Sequence, residues 1–116
     1  MNAYDAAHQT VKAIKESHEY KKLLDAKAAL AEDVDADKMV RDFLKKQTQM
    51  QLEAMSGREV DKEKQEQLQK LSELITLNTK AREYVQSYMR FQLMMEDIYK
   101  IFGDAIKPVL SDAKDE

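Results

Sequence analysis

The chain has 116 residues, no cysteine, two glycines and one proline, and charged residues make up 35% of it. Such a composition is typical of one helical domain that can bury a core without metal or disulfide support, so no strands are expected. The missing cysteines exclude disulfides, thiolate nucleophiles and thiolate-bound metals, and the net charge of −3 gives no general attraction to nucleic acid.

The first two predicted helices are separated by a polar residue. Apolar residues recur at heptad spacing along the first helix: Tyr4, Ala7, Val11 and Ile14. This spacing predicts a helix with one narrow stripe that faces the core. Ser17 is the predicted N-cap of the second helix, and we expect the two helices to meet at a corner. The predicted apolar positions of the second helix are Tyr20, Leu23, Leu24, Ala28 and Ala31.

A third helix is predicted to begin after Asp35, which can act as its N-cap. Val34 precedes this cap and is expected to pack against Met39 in the first turn. The apolar positions along the helix are Val40, Phe43, Leu44, Met50 and Ala54. Gly57 suits the positive φ of a helix C-terminus, so the segment from Ser56 to Val60 is predicted to be a loop.

Asp61 is the predicted start of a fourth helix. Residues 62–67 are all polar, so the first two turns are expected to project into water. The apolar positions that follow are Leu68, Leu71, Leu74 and Ile75. Asn78 is poorly suited to a helix interior and well suited to an N-cap, which predicts a bend or break there. The alternative is one uninterrupted helix in which Asn78 is a polar core position.

The fifth segment, from Thr79 to about Ile106, carries the longest apolar stripe. Its members alternate spacings of four and three: Tyr84, Tyr88, Phe91, Met95, Ile98 and Phe102. The pattern predicts a helix about 42 Å long that is buried along its length and central to the fold. A compact chain of this size would be about 35 Å across, so we predict an elongated antiparallel bundle of about five helices. Pro108 is expected to end the last helix, leaving one domain over residues 1–108 and a frayed acidic tail over residues 109–116.

Apolar residues of the fifth segment also lie outside this stripe. On a helical wheel, Met89 and Leu93 fall opposite the stripe, and Met94 and Ile101 fall on its flank. A helix that is apolar on several sides must be covered on several sides. We therefore predict that these four residues contribute to an interface with another protein chain.

No residue pattern for catalysis or cofactor binding is found. His8 and His18 are ten residues apart, which fits no compact metal motif, and neither a metal nor another cofactor is expected. Asp5 and His8 have the spacing of half a di-iron motif, but the second half is missing. The alternative to an interaction protein is a small all-helical enzyme or binder of an anionic metabolite that uses Arg82 and Arg90.

Two further features bear on partners and location. RNA association through Lys45 and Lys46 is a third possibility, although the net charge does not favour it. The longest apolar run, from Ala28 to Ala31, is too short for a signal peptide or a membrane span. The protein is therefore expected to be cytoplasmic.

Three stretches of the sequence resemble a known family. They are residues 16–24 (ESHEYKKLL), Asp35 with residues 39–43 (MVRDF), and residues 71–77 with Asn78 and Tyr84. Together they resemble the YlbF/YmcA family of small helical bacterial proteins, and within it the YheA branch. The resemblance implies a bundle of antiparallel helices that self-associates. It also implies a non-enzymatic regulator, because better-studied relatives act in competence, biofilm formation and sporulation through complexes with other proteins.

The leading hypothesis is a homodimer or larger homo-oligomer that docks protein partners through exposed helical faces. Its expected partners are a second copy of the chain and another cytosolic protein. Neither nucleic acid nor a membrane is expected as a partner.

Overall fold

A computed structural model describes residues 1–110, and this part of the chain contains five α-helices and no strand. The helices are α1 (Ala3–Glu16), α2 (His18–Ala31), α3 (Val34–Met55), α4 (Lys62–Leu77) and α5 (Thr79–Leu110). The all-α prediction is confirmed. Residues 111–116 of the predicted tail lie outside the described residues.

The helices form two antiparallel pairs. At one end of the first pair, the Lys80 ammonium of α5 lies 3.2 Å from a carboxylate oxygen of Glu32, which follows α2. Towards the other end, the rings of Tyr20 and Phe91 lie 6.0 Å apart, so α2 and α5 run in opposite directions. The second pair is the hairpin of α3 and α4, which are joined by residues 56–61; this link contains the loop predicted from Ser56 to Val60.

The hydrophobic core lies where the two pairs meet. Its buried members are Leu30, Ala36, Val40, Phe43, Ile75, Ala81 and Val85. They come from the end of α2, the first half of α3, the end of α4 and the start of α5, so the first half of α5 is central as predicted. Away from this junction the molecule is open. Its radius of gyration is 18.1 Å, against about 13 Å for a compact chain of this length.

The apolar stripe of α5 is covered only in part. Its residues from Tyr84 to Ile98 are half-buried, whereas Phe102 and every later residue of the helix are exposed. The prediction of burial along the whole length is therefore wrong, because α2, α3 and α4 accompany only the first part of α5. The helix also continues through Pro108, which does not end it. The proline ring fixes φ near its helical value and removes one N–H donor near the end of the helix.

Three predicted helix boundaries are confirmed. Ser17 Oγ accepts a hydrogen bond from the Tyr20 N–H at 3.2 Å. Asp61 Oδ1 accepts one from the Glu63 N–H at 2.9 Å. Asn78 has an extended backbone that ends α4, so the break predicted there is confirmed over the uninterrupted helix.

The start of α3 differs from the prediction. Asp33 caps the helix, since its Oδ1 accepts a hydrogen bond from the Ala36 N–H at 3.0 Å. Asp35 lies inside the first turn, and Val34 is exposed and forms no buried staple. Either aspartate has the chemistry of a cap, and the short link from α2 selects the earlier one. The end of α3 is as predicted, because Gly57 has a φ of 78°.

The apolar face of α1 is exposed. Tyr4 is 80% exposed, Val11 is also exposed, and no residue of α1 is buried. Within the described residues, α1 contacts α2 at their corner and no other helix. The prediction that this face points into the core of the same chain is therefore wrong.

The buried face of α2 also differs from the prediction. Its buried residues are Ala26 and Leu30, whereas Leu24, Ala28 and Ala31 are exposed. The face packs on α5, where small side chains allow two helices to approach closely. Tyr20 and Leu23 are half-buried, so the predicted face is correct near the start of α2 and wrong at Leu24, Ala28 and Ala31.

Candidate interaction surface

The second half of α5 presents a continuous apolar surface, which we call the distal α5 face. It is formed by Ile98, Ile101, Phe102, Ala105, Ile106 and Val109. These spacings of three and four place all six side chains on one side of the helix. Ile98 is half-buried and the other five are exposed. Ile101, with 66% of its surface accessible, is the most exposed isoleucine of the face.

Charged residues occupy the opposite side of the same helical segment. They are Glu96, Asp97, Lys100, Asp104 and Lys107. Two of them pair there: the Lys100 ammonium lies 2.9 Å from an Asp104 carboxylate oxygen. Their hydrogen bond and charge attraction raise the pKa of Lys100. Complete separation of apolar and charged residues is the organisation of a helix whose apolar side packs against another element.

The distal α5 face begins where α2 stops running alongside α5. At that point lies an open groove lined by His18, Glu19, Arg90, Leu93, Met94 and Asp97. His18 is the first residue of α2, so beyond this groove no helix of the described chain lies against α5. The distal α5 face is exposed for this reason, and not because its residues are polar.

A second unpaired apolar surface lies on α1, and we call it the α1 stripe. Its members are Tyr4, Ala7, Val11 and Ile14. Ile14 is half-buried near the corner with α2, and the other three are exposed. The 14 residues of α1 span about 21 Å. Residues 98–110 of α5 span about 20 Å, so the two surfaces match in length.

The four predicted interface residues lie on two sides of α5. Met94 and Ile101 are seven residues apart and therefore on the same side, Met94 half-buried beside α2 and Ile101 within the distal α5 face. Met89 and Leu93 are four residues apart and both exposed, with Leu93 on the rim of the groove next to Met94. The structure therefore places Met94 and Ile101 on or next to the distal α5 face, and Met89 and Leu93 on another side of α5.

Sequence reasoning missed the end of the distal α5 face. The predicted stripe ends at Phe102 and leaves out Ala105 and Ile106, and Val109 lies beyond Pro108, where the helix is predicted to end. The heptad spacing nevertheless continues from Phe102 to Ala105 and Val109. That continuity was the available signal.

The total exposed surface is large for the size of the chain. A compact monomer of 13.5 kDa exposes about 6,500 Å². The exposed surface of this chain is 9226 Å², so roughly 2,700 Å² more surface meets solvent than in a compact fold. Exposed large apolar side chains on α1 and on the distal half of α5 contribute to that excess, together with others on α2, α3 and α4.

The residues proposed for the enzymatic alternative do not converge. The Arg82 guanidinium donates a hydrogen bond to the Thr76 carbonyl oxygen at 2.6 Å, which engages it at the end of α4. Arg90 lies on the rim of the open groove, about 12 Å further along the axis of α5. Residues 1–110 contain no cluster of three or more His, Cys, Asp or Glu side chains that could hold a metal ion.

The lysines considered for RNA binding lie on a surface of mixed charge. The Lys46 ammonium is 2.6 Å from an Asp42 carboxylate oxygen, which offsets its charge. The neighbouring Lys45 is exposed. None of the helices between residues 1 and 110 has the length and hydrophobicity that crossing a membrane requires.

Comparison with known proteins identifies a family. The family model described as "Control of competence regulator ComK, YlbF/YmcA" matches residues 3–107. A UPF0342 protein of Desulfitobacterium hafniense is 38% identical over 95% of this chain and 89% of its own length. A UPF0342 protein of Caldicellulosiruptor saccharolyticus is 36% identical over 99% of this chain and 92% of its own length. One from Symbiobacterium thermophilum is 34% identical over 89% of this chain and 92% of its own length.

Proposed function

Because the chain belongs to the YlbF/YmcA family, whose description names control of the competence regulator ComK, we propose that it is a non-enzymatic regulatory adaptor that works as a homodimer in the cytosol. The observation that carries this proposal is the distal α5 face, where six apolar side chains lie on one side of a helix and all charges lie on the other. A surface of this kind is stable in water when another helix covers it.

The surface area supports a stable dimer contact. A standard interface buries about 800 Å² on each partner. The surface excess of this chain is roughly three times that value, so one such contact can be made without disturbing the core. A second copy is the occupant we assign to the distal α5 face, because each chain carries two unpaired apolar surfaces of equal length and a two-fold axis can cover both pairs at once.

The predicted interface residues take different places in this proposal. Ile101 lies within the dimer contact, and Met94 lies beside it at the start of α2. Met89 and Leu93 lie outside it, on another side of α5. Met89 and Leu93 are the positions we assign to contact with the regulated protein, since both are exposed on a side of α5 that carries polar neighbours.

Light scattering after size exclusion tests the dimer with two adjacent substitutions. Phe102→Glu places a carboxylate in the distal α5 face, whereas Gly103→Glu places the same charge one residue later, on the polar side, where an added Cβ meets nothing within 4 Å. The wild type and Gly103→Glu should both have twice the 13.5 kDa chain mass, and Phe102→Glu should have the chain mass. A wild type of single-chain mass, or a Phe102→Glu variant that remains dimeric with unchanged helicity, would contradict the proposal.

The regulatory role is tested in the native host with a reporter driven by its competence regulator. Deletion of the gene for this chain should change reporter output, and the wild type and Gly103→Glu should restore it. Phe102→Glu, produced at the same level, should not restore it. If Phe102→Glu restores reporter output, regulation does not depend on the dimer, and the proposed link between the two is wrong.

A further inference from the structure

From the same surfaces we infer that the dimer forms by exchange of α1. In this arrangement α1 of each chain packs antiparallel on the distal α5 face of a second copy, with Ser17 as the hinge. The inference rests on the proposed self-association and adds to it the identity of the two contacting elements.

When α1 of the second copy lies in line with α2, the register of the α2–α5 pair sets the α1 stripe opposite the distal α5 face. Glu32 pairs with Lys80, and Tyr20 contacts Phe91, so each step towards the start of α2 is one step towards the end of α5. Continued past Ser17, the same register sets a helix in line with α2 along residues 96–110. A helix with the sequence of α1 has the right length to lie along these residues, antiparallel to α5.

The side chains agree with this register position by position. Ile14 falls level with Ile98, and Val11 falls level with Ile101. One heptad beyond the Ile14–Ile98 pair, Ala7 falls level with Ala105. The pattern therefore brings large residues to large residues and small to small, which gives the even spacing that two packed helices require.

The backbone at Ser17 explains why α1 does not lie along residues 96–110 of its own chain. To lie there, α1 would have to continue straight from α2, which requires a helical Ser17. Ser17 instead has φ −68° and ψ 152°, and its N–H donates to the Ile14 carbonyl oxygen while its Oγ accepts from the Tyr20 N–H. These bonds close the end of α1 and the start of α2, so they hold the two helices at a corner.

A second copy can place its α1 on the distal α5 face while Ser17 keeps its capping hydrogen bonds in both chains. Each chain has one α1 stripe and one distal α5 face that its own helices leave uncovered. Two chains related by a two-fold axis therefore cover both surfaces of both chains. An unrelated partner that covers the distal α5 face with an amphipathic helix would still leave α1 exposed. The second copy is therefore the occupant to which the observations point.

Disulfide trapping tests this arrangement cleanly, because the chain has no cysteine of its own. The test variant is Ala7→Cys with Ala105→Cys, two small substitutions at positions that the register sets level. The matched control is Ala7→Cys with Gly103→Cys, which moves the second thiol to the polar side of α5. Both are oxidised under mild conditions and compared on non-reducing gels and by light scattering.

Most of the test variant should become a covalent dimer of twice the chain mass, while the control should remain largely uncrosslinked. A crosslinked single chain would show that α1 folds back on its own α5 and would overturn the exchange. A dimer in solution that gives no crosslink would overturn the exchange and leave the proposed self-association standing. A single-chain mass for the uncrosslinked wild type would overturn the proposed function itself.

Discussion

The side chain of Asn78 caps α5, since its Oδ1 accepts a hydrogen bond from the Ala81 N–H at 3.0 Å. Ala81 is fully buried in the core, so this cap lies at the junction of the two helix pairs. The extended backbone of Asn78 also ends α4. One residue therefore sets both the boundary and the angle between two helices.

Replacement of this cap should lower stability measurably. We expect Asn78→Ala to reduce the free energy of unfolding by about 1 kcal/mol, because it leaves the Ala81 N–H without its partner. Asn78→Asp keeps an acceptor at the same position and should stay close to the wild type. Urea denaturation at one fixed protein concentration measures both. Equal stability of Asn78→Ala and the wild type would mean that α4 and α5 can fuse without loss.

The two glycines should respond to alanine with opposite signs. Neither has a heavy atom within 4 Å of an added Cβ, so only the backbone distinguishes them. Gly57 has a φ of 78°, and Gly57→Ala should destabilise the protein by about 1 kcal/mol. Gly103 lies inside α5, and Gly103→Ala should stabilise it by about 0.5–1 kcal/mol. Thermal and urea unfolding measure both, and a shared sign would refute this explanation.

Truncation of a core leucine should cost far more than truncation of a surface one. Leu30 is 2% exposed and belongs to the core, whereas Leu52 is 61% exposed near the end of α3. We expect Leu30→Ala to reduce the free energy of unfolding by about 2–4 kcal/mol, and Leu52→Ala by about 0.5 kcal/mol or less. Comparable losses at both sites would place Leu52 in an interface that the single chain does not reveal.

Alkaline pH should destabilise the protein in part through Tyr84. Burial, with the nearby Tyr88 and Asp37, raises the pKa of Tyr84 above its ordinary value of 10. The folded state therefore favours the neutral phenol. This contribution is fully present below pH 10 and is lost as the pH rises through the folded-state pKa. Tyr84→Phe should show a smaller loss of stability between neutral and strongly alkaline pH than the wild type.

A second tyrosine provides the comparison for this pH effect. Tyr99 is exposed on α5, so Tyr99→Phe should follow the wild-type profile. Urea denaturation across the pH range reads out both variants. If the free energy of unfolding falls equally at alkaline pH in the wild type, Tyr84→Phe and Tyr99→Phe, burial of the Tyr84 phenol makes no contribution.

Much of the fold was predictable because short-range rules decide it. Ser17, Asp61 and Asn78 start helices through their own side chains, and Gly57 ends one through its own φ, so the sequence indicates each boundary. Asp33 and Asp35 show the limit of such rules. Both can cap a helix, and the distance from the end of α2 decides between them.

The covering of each apolar face was less predictable. Val11 and Phe102 lie in heptad stripes, and a stripe indicates that a helix will be covered but not by which chain. Ala26 shows a second limit, because it is buried where two helices approach closely and the sequence does not distinguish it from the exposed Ala28 and Ala31. Side-chain contacts between distant segments, and between chains, are not encoded in local spacing.

The position of the core at one junction has a consequence for how the molecule opens. The start of α1 and the end of α5 are far from that junction and hold few buried contacts, so local unfolding there needs little free energy. Their amide hydrogens should exchange with solvent before those around Val40 and Ile75. When a partner covers these ends, its binding also stabilises their helical structure against local unfolding. For the proposed dimer, the cellular concentration of the chain would then determine how much of its own helical structure is protected at any moment.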